Sequence, residues 1–349
     1  MYIRIAENIN TFKKDKDFED ERSNSNIITL LSDDGSRFEF LLPPIVYSVV
    51  GFIGILLNTS VCYITIKYRK QYSTLKTNTA ILLTINSFFE ILHQSGQFIY
   101  LIIAVNGINL IQLNKIILFQ IHSIIGMFSA VFLFNSLSFD RFLGVAFPIF
   151  YKKINSRRYI YLHLLLIVLC NCYIIFIIIK TVNELPNLLV NGSLTDSTLL
   201  INGNSYFKLL PFILFPPFIF YFLIIFILKF GKELNSDETM KKVYRSVFLI
   251  IFVNIGGYLF CSLIVEYILV PFFGANQINF LLFLIIPGLI INFASASNAP
   301  ILFINSTDYN DAYKKEFNFI KNILFKKVGI KQQTKTAVVM LNKSTINLY

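Results

Sequence analysis

Two adjacent charged residues, Asp140 and Arg141, stand between two apolar runs of the sequence. Neighbouring acidic and basic side chains can form an ion pair, and taking such a pair out of water costs several kcal/mol per ion unless it is well bonded. A pair with this cost suits a switch between two states. The alternative is an ordinary charge cluster at a membrane edge, which also accounts for Lys152 and Lys153.

Two further carboxylates, Glu90 and Glu266, lie inside long apolar runs, where ionisable residues are functional candidates. Glu266 alternatively reaches the headgroup region from near its helix end. Glu90 fits a buried contact between helices as well as it fits a ligand or ion site. The three histidines are scattered and the four cysteines lie in apolar runs, so we expect no metal site. No nucleophile motif appears in the sequence, and we expect no cofactor and no enzymatic activity.

The composition determines which elements carry these residues. Of 349 residues, 55% are hydrophobic and 15% charged, against roughly 25% charged in soluble domains, and the mean hydropathy is +0.63. About 20 apolar residues cross a bilayer as a helix. Seven windows qualify, and we name them spans one to seven: residues 44–66, 79–104, 116–139, 160–179, 207–228, 243–270 and 278–304. The sequence therefore predicts an all-α membrane protein, a bundle of seven transmembrane helices.

Lysine and arginine predict the orientation, because loops rich in them stay cytoplasmic. Most of the 31 basic residues follow spans one, three, five and seven. In the N-terminal segment acidic residues outnumber basic ones. We therefore expect an outside N-terminus and a cytoplasmic C-terminus in a plasma-membrane protein, and we interpret the net charge of +11 as a topology signal with no nucleic-acid partner.

The segments outside the spans complete the predicted domain organisation. Residues 1–43 are an extracellular tail, residues 44–304 the domain of seven transmembrane helices, residues 305–325 a cytoplasmic amphipathic helix and residues 326–349 a basic tail. The helix places Tyr309, Tyr313, Phe317, Ile320 and Leu324 on one face, which favours the inner leaflet of the bilayer. Asn191-Gly192-Ser193 is a glycosylation sequon in the longest outside loop, so we expect Asn191 to be modified.

Four stretches carry a resemblance to a known family. They are GILLNTSV in span one, LKTNTAILL at the start of span two, LSFDRFLGVAFPIFY after span three, and ASASNAPILF with STDYNDAY at the end of span seven. In this seven-span topology they resemble the rhodopsin-like G-protein-coupled receptors, and most nearly the nematode chemosensory receptors called serpentine receptor class sx. The resemblance runs from about residue 45 to 320.

The resemblance implies roles for particular residues. Arg141 resembles the arginine that meets the G-protein when the bundle opens, and Asp140 its counter-charge in the closed bundle. Residues expected at the G-protein surface or its switch are Asp140, Arg141, Pro148, Tyr151, Lys241 and Arg245. Residues expected at helix kinks or in activation are Asn58, Pro216, Pro217, Asn298, Pro300 and Phe303.

Several positions depart from the family pattern. Ser87 stands where the span-two aspartate is usual, and Phe303 where many relatives have tyrosine. Span six lacks its usual Trp and Pro, so we expect Gly256 and Gly257 to be its flexible point. The cysteine that heads span three and its loop partner are both absent, which predicts less constrained outer loops.

Neither an amine anchor nor a retinal lysine is present, because the corresponding positions are Ser123 and Phe293. The outer halves of the spans instead offer scattered hydrogen-bonding groups among Phe and Ile, as in sites for small, weakly polar molecules. The candidate ligand-binding residues are Gln94, Gln97, Tyr100, Gln120, His122, Ser123, Tyr173, Glu266 and Asn279.

The sequence thus favours a chemosensory receptor, in a plasma or ciliary membrane, that binds a small external cue and activates a heterotrimeric G-protein. A neuropeptide receptor with a short-peptide ligand is the alternative within the class, and a seven-span transporter is a weaker one. Pairing with a second receptor stays open.

Overall fold

The structure is a computed structural model that describes residues 38–185, 187–194, 206–230, 238–273 and 277–327. The described part is almost entirely helical. Six of its helices are long and apolar enough to cross a membrane, and a seventh apolar stretch, Phe212–Ile227, is shorter. The predicted tails, residues 1–37 and 328–349, lie outside the described residues.

The first four spans are single helices. Span one is Phe38–Tyr68, span two Asn78–Val105, span three Leu113–Ala146 and span four Ser156–Glu184. Local signals define two of the starts: the Thr77 side chain accepts a bond from Ala80 N, and Asn155 accepts from the two nitrogens that follow Ser156, which satisfies orphan donors of the first turn.

The last three spans include irregular turns. Span five is the helix Tyr206–Phe230. Span six runs as an α-helix over Glu238–Ile264, as one π-helical turn over Val265–Leu269, and again as an α-helix over Val270–Phe273. Span seven is divided into Gln277–Phe283, Ile285–Ala296 and Asn298–Asn305. The C-terminal helix, Thr307–Lys327, follows.

Span three lies at the centre of the bundle. It contacts spans two, four, five and six, while span one packs between spans two and seven. Of the six long helices described, it also has the largest buried share. At Gly126 a Cβ would lie 2.6 Å from His93 N and 2.7 Å from Phe89 O, so only glycine permits this approach of spans two and three.

The structure places the irregular turn of span six away from Gly256 and Gly257, where we expected its flexible point. The helix continues through Gly256 and Gly257, and a Cβ on Gly257 would lie 2.7 Å from Ala294 Cβ of span seven. Gly257 therefore serves close packing between spans six and seven. The irregular turn lies farther along, at the π-helical turn that contains Glu266.

Two short strands join the loops at one end of the bundle. Strand β1, Ile111–Gln112, pairs antiparallel with β2, Leu189–Val190. We call this end the strand end. The other end carries Arg141, the loop helix Pro148–Lys153 and the C-terminal helix, and we call it the arginine end.

The C-terminal helix is held against span one by polar side chains. Tyr309 bonds Thr65 at 2.8 Å, and Tyr313 bonds Ser60 at 2.7 Å. Glu316 accepts from Lys67 at 2.6 Å, from Tyr68 at 2.8 Å and from Tyr63 at 2.9 Å. The large apolar side chains left exposed on this helix are Phe317, Phe319, Ile320 and Ile323. The predicted single apolar face is thus divided: Tyr309 turns toward the bundle, Phe317 and Ile320 turn outward, and the Leu324 side chain lies outside those described.

Candidate functional site

At the arginine end, Asp140 is almost fully buried and both of its carboxylate oxygens are engaged. Thr79 Oγ1 of span two donates to Oδ2, and Tyr151 OH of the loop helix donates to Oδ1 at 2.7 Å. Arg141 Nε lies 3.7 Å from Oδ2, and the Arg141 side chain is also buried. The carboxylate therefore joins span two, span three and the loop helix.

The Tyr151 hydroxyl acts as a donor in this arrangement. Burial first, and then the neighbouring Asp140 charge, raise the pKa of Tyr151 well above its ordinary value. The phenol accordingly keeps its proton and offers it to Asp140. Tyr151 was expected at the G-protein surface, yet its hydroxyl points inward. Pro148 is exposed at the first turn of the loop helix, where a proline needs no hydrogen-bonding partner.

A cluster of four buried asparagines occupies the middle of the bundle. Asn298 Nδ2 lies 3.3 Å from the Oδ1 atoms of Asn58 and of Asn86, and Asn254 Nδ2 donates to Asn298 Oδ1 at 3.2 Å. Asn58 Nδ2 also donates to the Ser295 carbonyl at 3.0 Å. These side chains, which we call the asparagine cluster, tie spans one, two, six and seven together at the interruption of span seven that precedes Pro300.

Sequence reasoning identified Asn58 and Asn298 but missed Asn86 and Asn254. The available signal was their polarity inside an apolar span, because a polar side chain within a membrane costs free energy unless it has a partner. Phe303, expected to take part in activation, packs edge-on against Tyr313 of the C-terminal helix, with ring centroids 6.0 Å apart. Its side chain therefore belongs to the contact between span seven and that helix.

Glu90 lies one turn from the asparagine cluster and has no solvent exposure. Its Oε2 accepts from Ser295 Oγ at 2.7 Å and lies 3.1 Å from His93 Nδ1. Of the two alternatives that the sequence left open for Glu90, this geometry matches a buried contact between helices. Among the described residues no three His, Cys, Asp or Glu side chains converge as metal ligands.

At the span-five prolines, which were expected to kink the helix, the carbonyl that loses its helical donor has another partner. Pro217 has no N–H, so the carbonyl of Ile213 loses its helical donor. Asn135 Nδ2 of span three donates to that carbonyl at 3.1 Å. Pro216, one residue earlier, is half-buried in the same continuous helix.

The candidate ligand residues do not form one group. Gln94, Gln97, Tyr100, Gln120 and Ser123 are buried in the bundle. Two of them are used between helices, since Ser123 Oγ donates to His93 O at 2.5 Å and Gln120 Nε2 to Gly96 O at 3.1 Å.

The remaining candidates lie nearer the surface. His122 is half-buried beside Ser95, 2.9 Å away, and Asn279 is exposed near the start of span seven. Tyr173 is 62% exposed on the outer face of span four, so its assignment to an internal ligand site is wrong: the helix turns it away from the bundle.

Several buried polar atoms of the described residues keep unused hydrogen-bonding capacity, among them atoms of the candidate ligand residues Gln94, Gln120 and Glu266. Both atoms of the Gln94 amide and Oε1 of Glu266 are enclosed without a partner in the part of the chain that the structure describes. Buried polar atoms are rarely left unpaired. Glu266 also stands in the π-helical turn, a distortion that often marks functional sites.

Asn191, the expected glycosylation site, is 7% exposed, and its Oδ1 accepts from Ser193 N at 2.8 Å. An acceptor amide must be accessible to be modified, so this folded geometry does not favour the modification. Lys241 and Arg245 fall within the span-six helix, but their side chains lie outside those described.

The comparison with protein-family models decides the family. The model described as serpentine type 7TM GPCR chemoreceptor Srsx matches residues 48–317, well over half of the chain.

The chain belongs to the Srsx family of serpentine chemoreceptors.

No curated protein matches the Srsx chain. The family match confirms the seven-span architecture and the class of receptor, and it agrees with the resemblance carried by the Asp140-Arg141 and Asn298-Ala299-Pro300 stretches. The matched residues extend from span one into the C-terminal helix.

Proposed function

We propose that this Srsx receptor binds a small, weakly polar external cue toward the strand end and activates a heterotrimeric G-protein at the arginine end. The observation that carries the proposal is the closed arrangement at Asp140. A buried carboxylate holds span two, the loop helix and Arg141 together through bonds that all have to be exchanged if the bundle opens there.

Such a site is suited to a population shift. A ligand moves a two-state equilibrium only by its differential affinity for the two states. The asparagine cluster ties spans one, two, six and seven together, Glu90 joins spans two and seven, and Asn135 joins spans three and five. A cue that favours a rearranged strand end could thus change the population in which Arg141 is released.

Gln94 and Glu266 support the placement of the ligand. Each has enclosed polar atoms without a partner among the described residues, and a ligand with a hydrogen-bonding group would satisfy them. The apolar residues that predominate in the spans favour a weakly polar molecule. Gln97 and Tyr100 belong to the same end of span two and complete the proposed surroundings of the cue.

The arginine end is proposed to face the cytoplasm. Basic residues concentrate in its loops and in the C-terminal helix, as the orientation rule requires. The receptor would then lie in the plasma membrane or in a sensory cilium, with the exposed apolar side chains of the C-terminal helix in the inner leaflet.

The test is a G-protein activation assay in cells that express the receptor, with a panel of volatile and water-soluble cues. We expect Arg141→Ala to abolish the response at unchanged surface level. Arg157→Ala removes an exposed arginine of the same end and should leave the response intact. A response that survives Arg141→Ala contradicts the proposed coupling.

A further inference from the structure

The loop segment that carries β2, residues 188–193, is packed onto the ends of spans two and three. Leu113 N donates to Leu188 O at 2.8 Å, next to the β1–β2 pairing. Val190 is fully buried in a small apolar cluster with Ile103, Leu113 and Ile116. The loop therefore has a definite register, although the cysteine pair expected from the resemblance is absent.

Gln120 binds this loop from inside the bundle. It has no solvent exposure, and its Nε2 donates at 3.1 Å both to Gly192 O of the loop and to Gly96 O of span two. A primary amide nitrogen carries two N–H donors, so one side chain uses both to join three parts of the chain.

Two glycines make this arrangement possible. A Cβ at Gly96 would lie 2.5 Å from Gln120 Oε1, so a larger residue would displace the amide. Gly192 has φ +83°, a conformation that side-chain-bearing residues rarely adopt, and this turn directs its carbonyl at Gln120. The three positions are thus matched to one another.

We propose that Gln120 is a positioning residue that locks the β2 segment in register over the strand end, in place of the missing covalent link. This proposal deepens the proposed function, because the β2 segment would form one wall at the mouth of the proposed ligand site. Only the purpose of the Gln120 bonds rests on the proposed function. Their geometry exists without ligand and can be tested without one.

The test introduces a reporter pair, Gln112→Cys with Leu189→Cys. These residues face each other across β1 and β2, and antiparallel partners lie about 4.5 to 5.5 Å apart at Cα, within the range that a disulfide spans. A second pair, Gln112→Cys with Val190→Cys, reports the neighbouring register. The full-length receptor in membranes is treated with a mild oxidant, and the remaining thiols are counted by mass-tag labelling after denaturation.

We expect the first pair to form rapidly and the second slowly. Adding Gln120→Leu should slow the first pair about tenfold, the effect of losing one or two hydrogen bonds, and should narrow the difference between the two registers. Ser123→Ala is the matched control, because Ser123 bonds span two but makes no bond to the loop in the described structure. It should leave both rates unchanged.

The proposal is overturned if Gln120→Leu leaves rate and register preference intact, or if Ser123→Ala changes them equally. If Gln120→Leu fails to reach the membrane, Gln120→Glu, which keeps the shape and loses both N–H donors, is measured in its place by the same criteria. A negative result in the disulfide experiment would not affect the Arg141 experiment. A negative result in the signalling experiment would not affect the register of β1 and β2.

Discussion

The buried Asp140 carboxylate depends for its stability on neutral hydrogen-bond donors. Its oxygens accept from two hydroxyls, Thr79 and Tyr151, while Arg141 Nε lies 3.7 Å away. Hydrogen bonds to a charged acceptor are stronger than those between neutral groups. The closed arginine end is therefore stabilised by the hydroxyls as well as by the neighbouring charge.

Removing one hydroxyl tests this at the residue scale. Tyr151→Phe deletes the donor to Asp140 Oδ1 and keeps the ring, so we expect ligand-free G-protein signalling to rise about fivefold or more, from a loss of about 1 to 3 kcal/mol in the closed state. Basal activity per surface receptor is the measurement. Tyr161→Phe, at a 70% exposed tyrosine of span four, is the control, and unchanged basal signalling in Tyr151→Phe would contradict the prediction.

The sequence predicted individual residues better than their partners. Asp140, Arg141, Asn58 and Asn298 were found from local motifs, because their neighbours in the chain identify them. Asn86, Asn254 and the partners of Glu90 were not found, since hydrophobic period gives the face of each helix but not its rotation against another helix. Tyr173 was misassigned for the same reason.

At the scale of elements, span five depends on span three for a hydrogen bond that its own sequence removes. Pro217 deprives the Ile213 carbonyl of its helical donor, and Asn135 supplies a replacement. No pattern within either span alone predicts this pair, because residues far apart in the sequence form it.

A double-mutant cycle measures how much Asn135 stabilises the receptor by replacing the donor that Pro217 removes. Asn135→Ala alone should destabilise the receptor by about 1 to 3 kcal/mol, because it leaves a partly buried carbonyl without a donor. In the Pro217→Ala background the new N–H satisfies the carbonyl, so Asn135→Ala should cost about 1 kcal/mol less. Thermal unfolding of the purified receptor gives the four values, and strict additivity would show that the carbonyl is satisfied otherwise.

The C-terminal helix depends on one carboxylate at its contact with span one. Burial alone would raise the pKa of Glu316, but hydrogen bonds from Lys67, Tyr68 and Tyr63 outweigh it, and the pKa lies below its ordinary value of 4.5. A lowered pKa in the docked state means that the ionised form stabilises docking.

Docking should therefore be complete above about pH 4.5 and weaken as the pH falls through the lowered pKa. Hydrogen exchange of residues 307–327, in receptor reconstituted in nanodiscs, measures it. Glu316→Gln should exchange faster at neutral pH and lose most of the pH dependence. Equal acid sensitivity in both proteins would assign the effect to another group.

At the scale of the whole molecule, composition predicted where each span lies, with helix ends that differ from the predicted ones by up to about seven residues, as at the end of span three, Ala146. The predicted 79–104 became Asn78–Val105, and 207–228 became Tyr206–Phe230. What composition could not supply was the division of span seven or the π-helical turn of span six, because these depend on contacts with other helices. The pairing of β1 with β2 was not predicted either, because each strand has only two residues, too few to show a hydrophobic pattern.

Orientation is the property of the whole chain that basic residues predict. An epitope placed before residue 38 should be labelled on intact cells, and one placed after residue 327 only after permeabilisation. The reason is the excess of lysine and arginine in the loops of the arginine end. Labelling of the second epitope on intact cells would reverse the assignment and, with it, the side proposed for the G-protein.

The strand end owes its order to amide and backbone hydrogen bonds, while all four cysteines are free thiols within the spans. The fold consequently has no step that requires an oxidising folding compartment. Synthesis in reducing hosts or in cell-free lysates, and purification in the presence of thiol reductants, should yield the same tertiary structure, a practical freedom that receptors with a covalently fastened loop do not have.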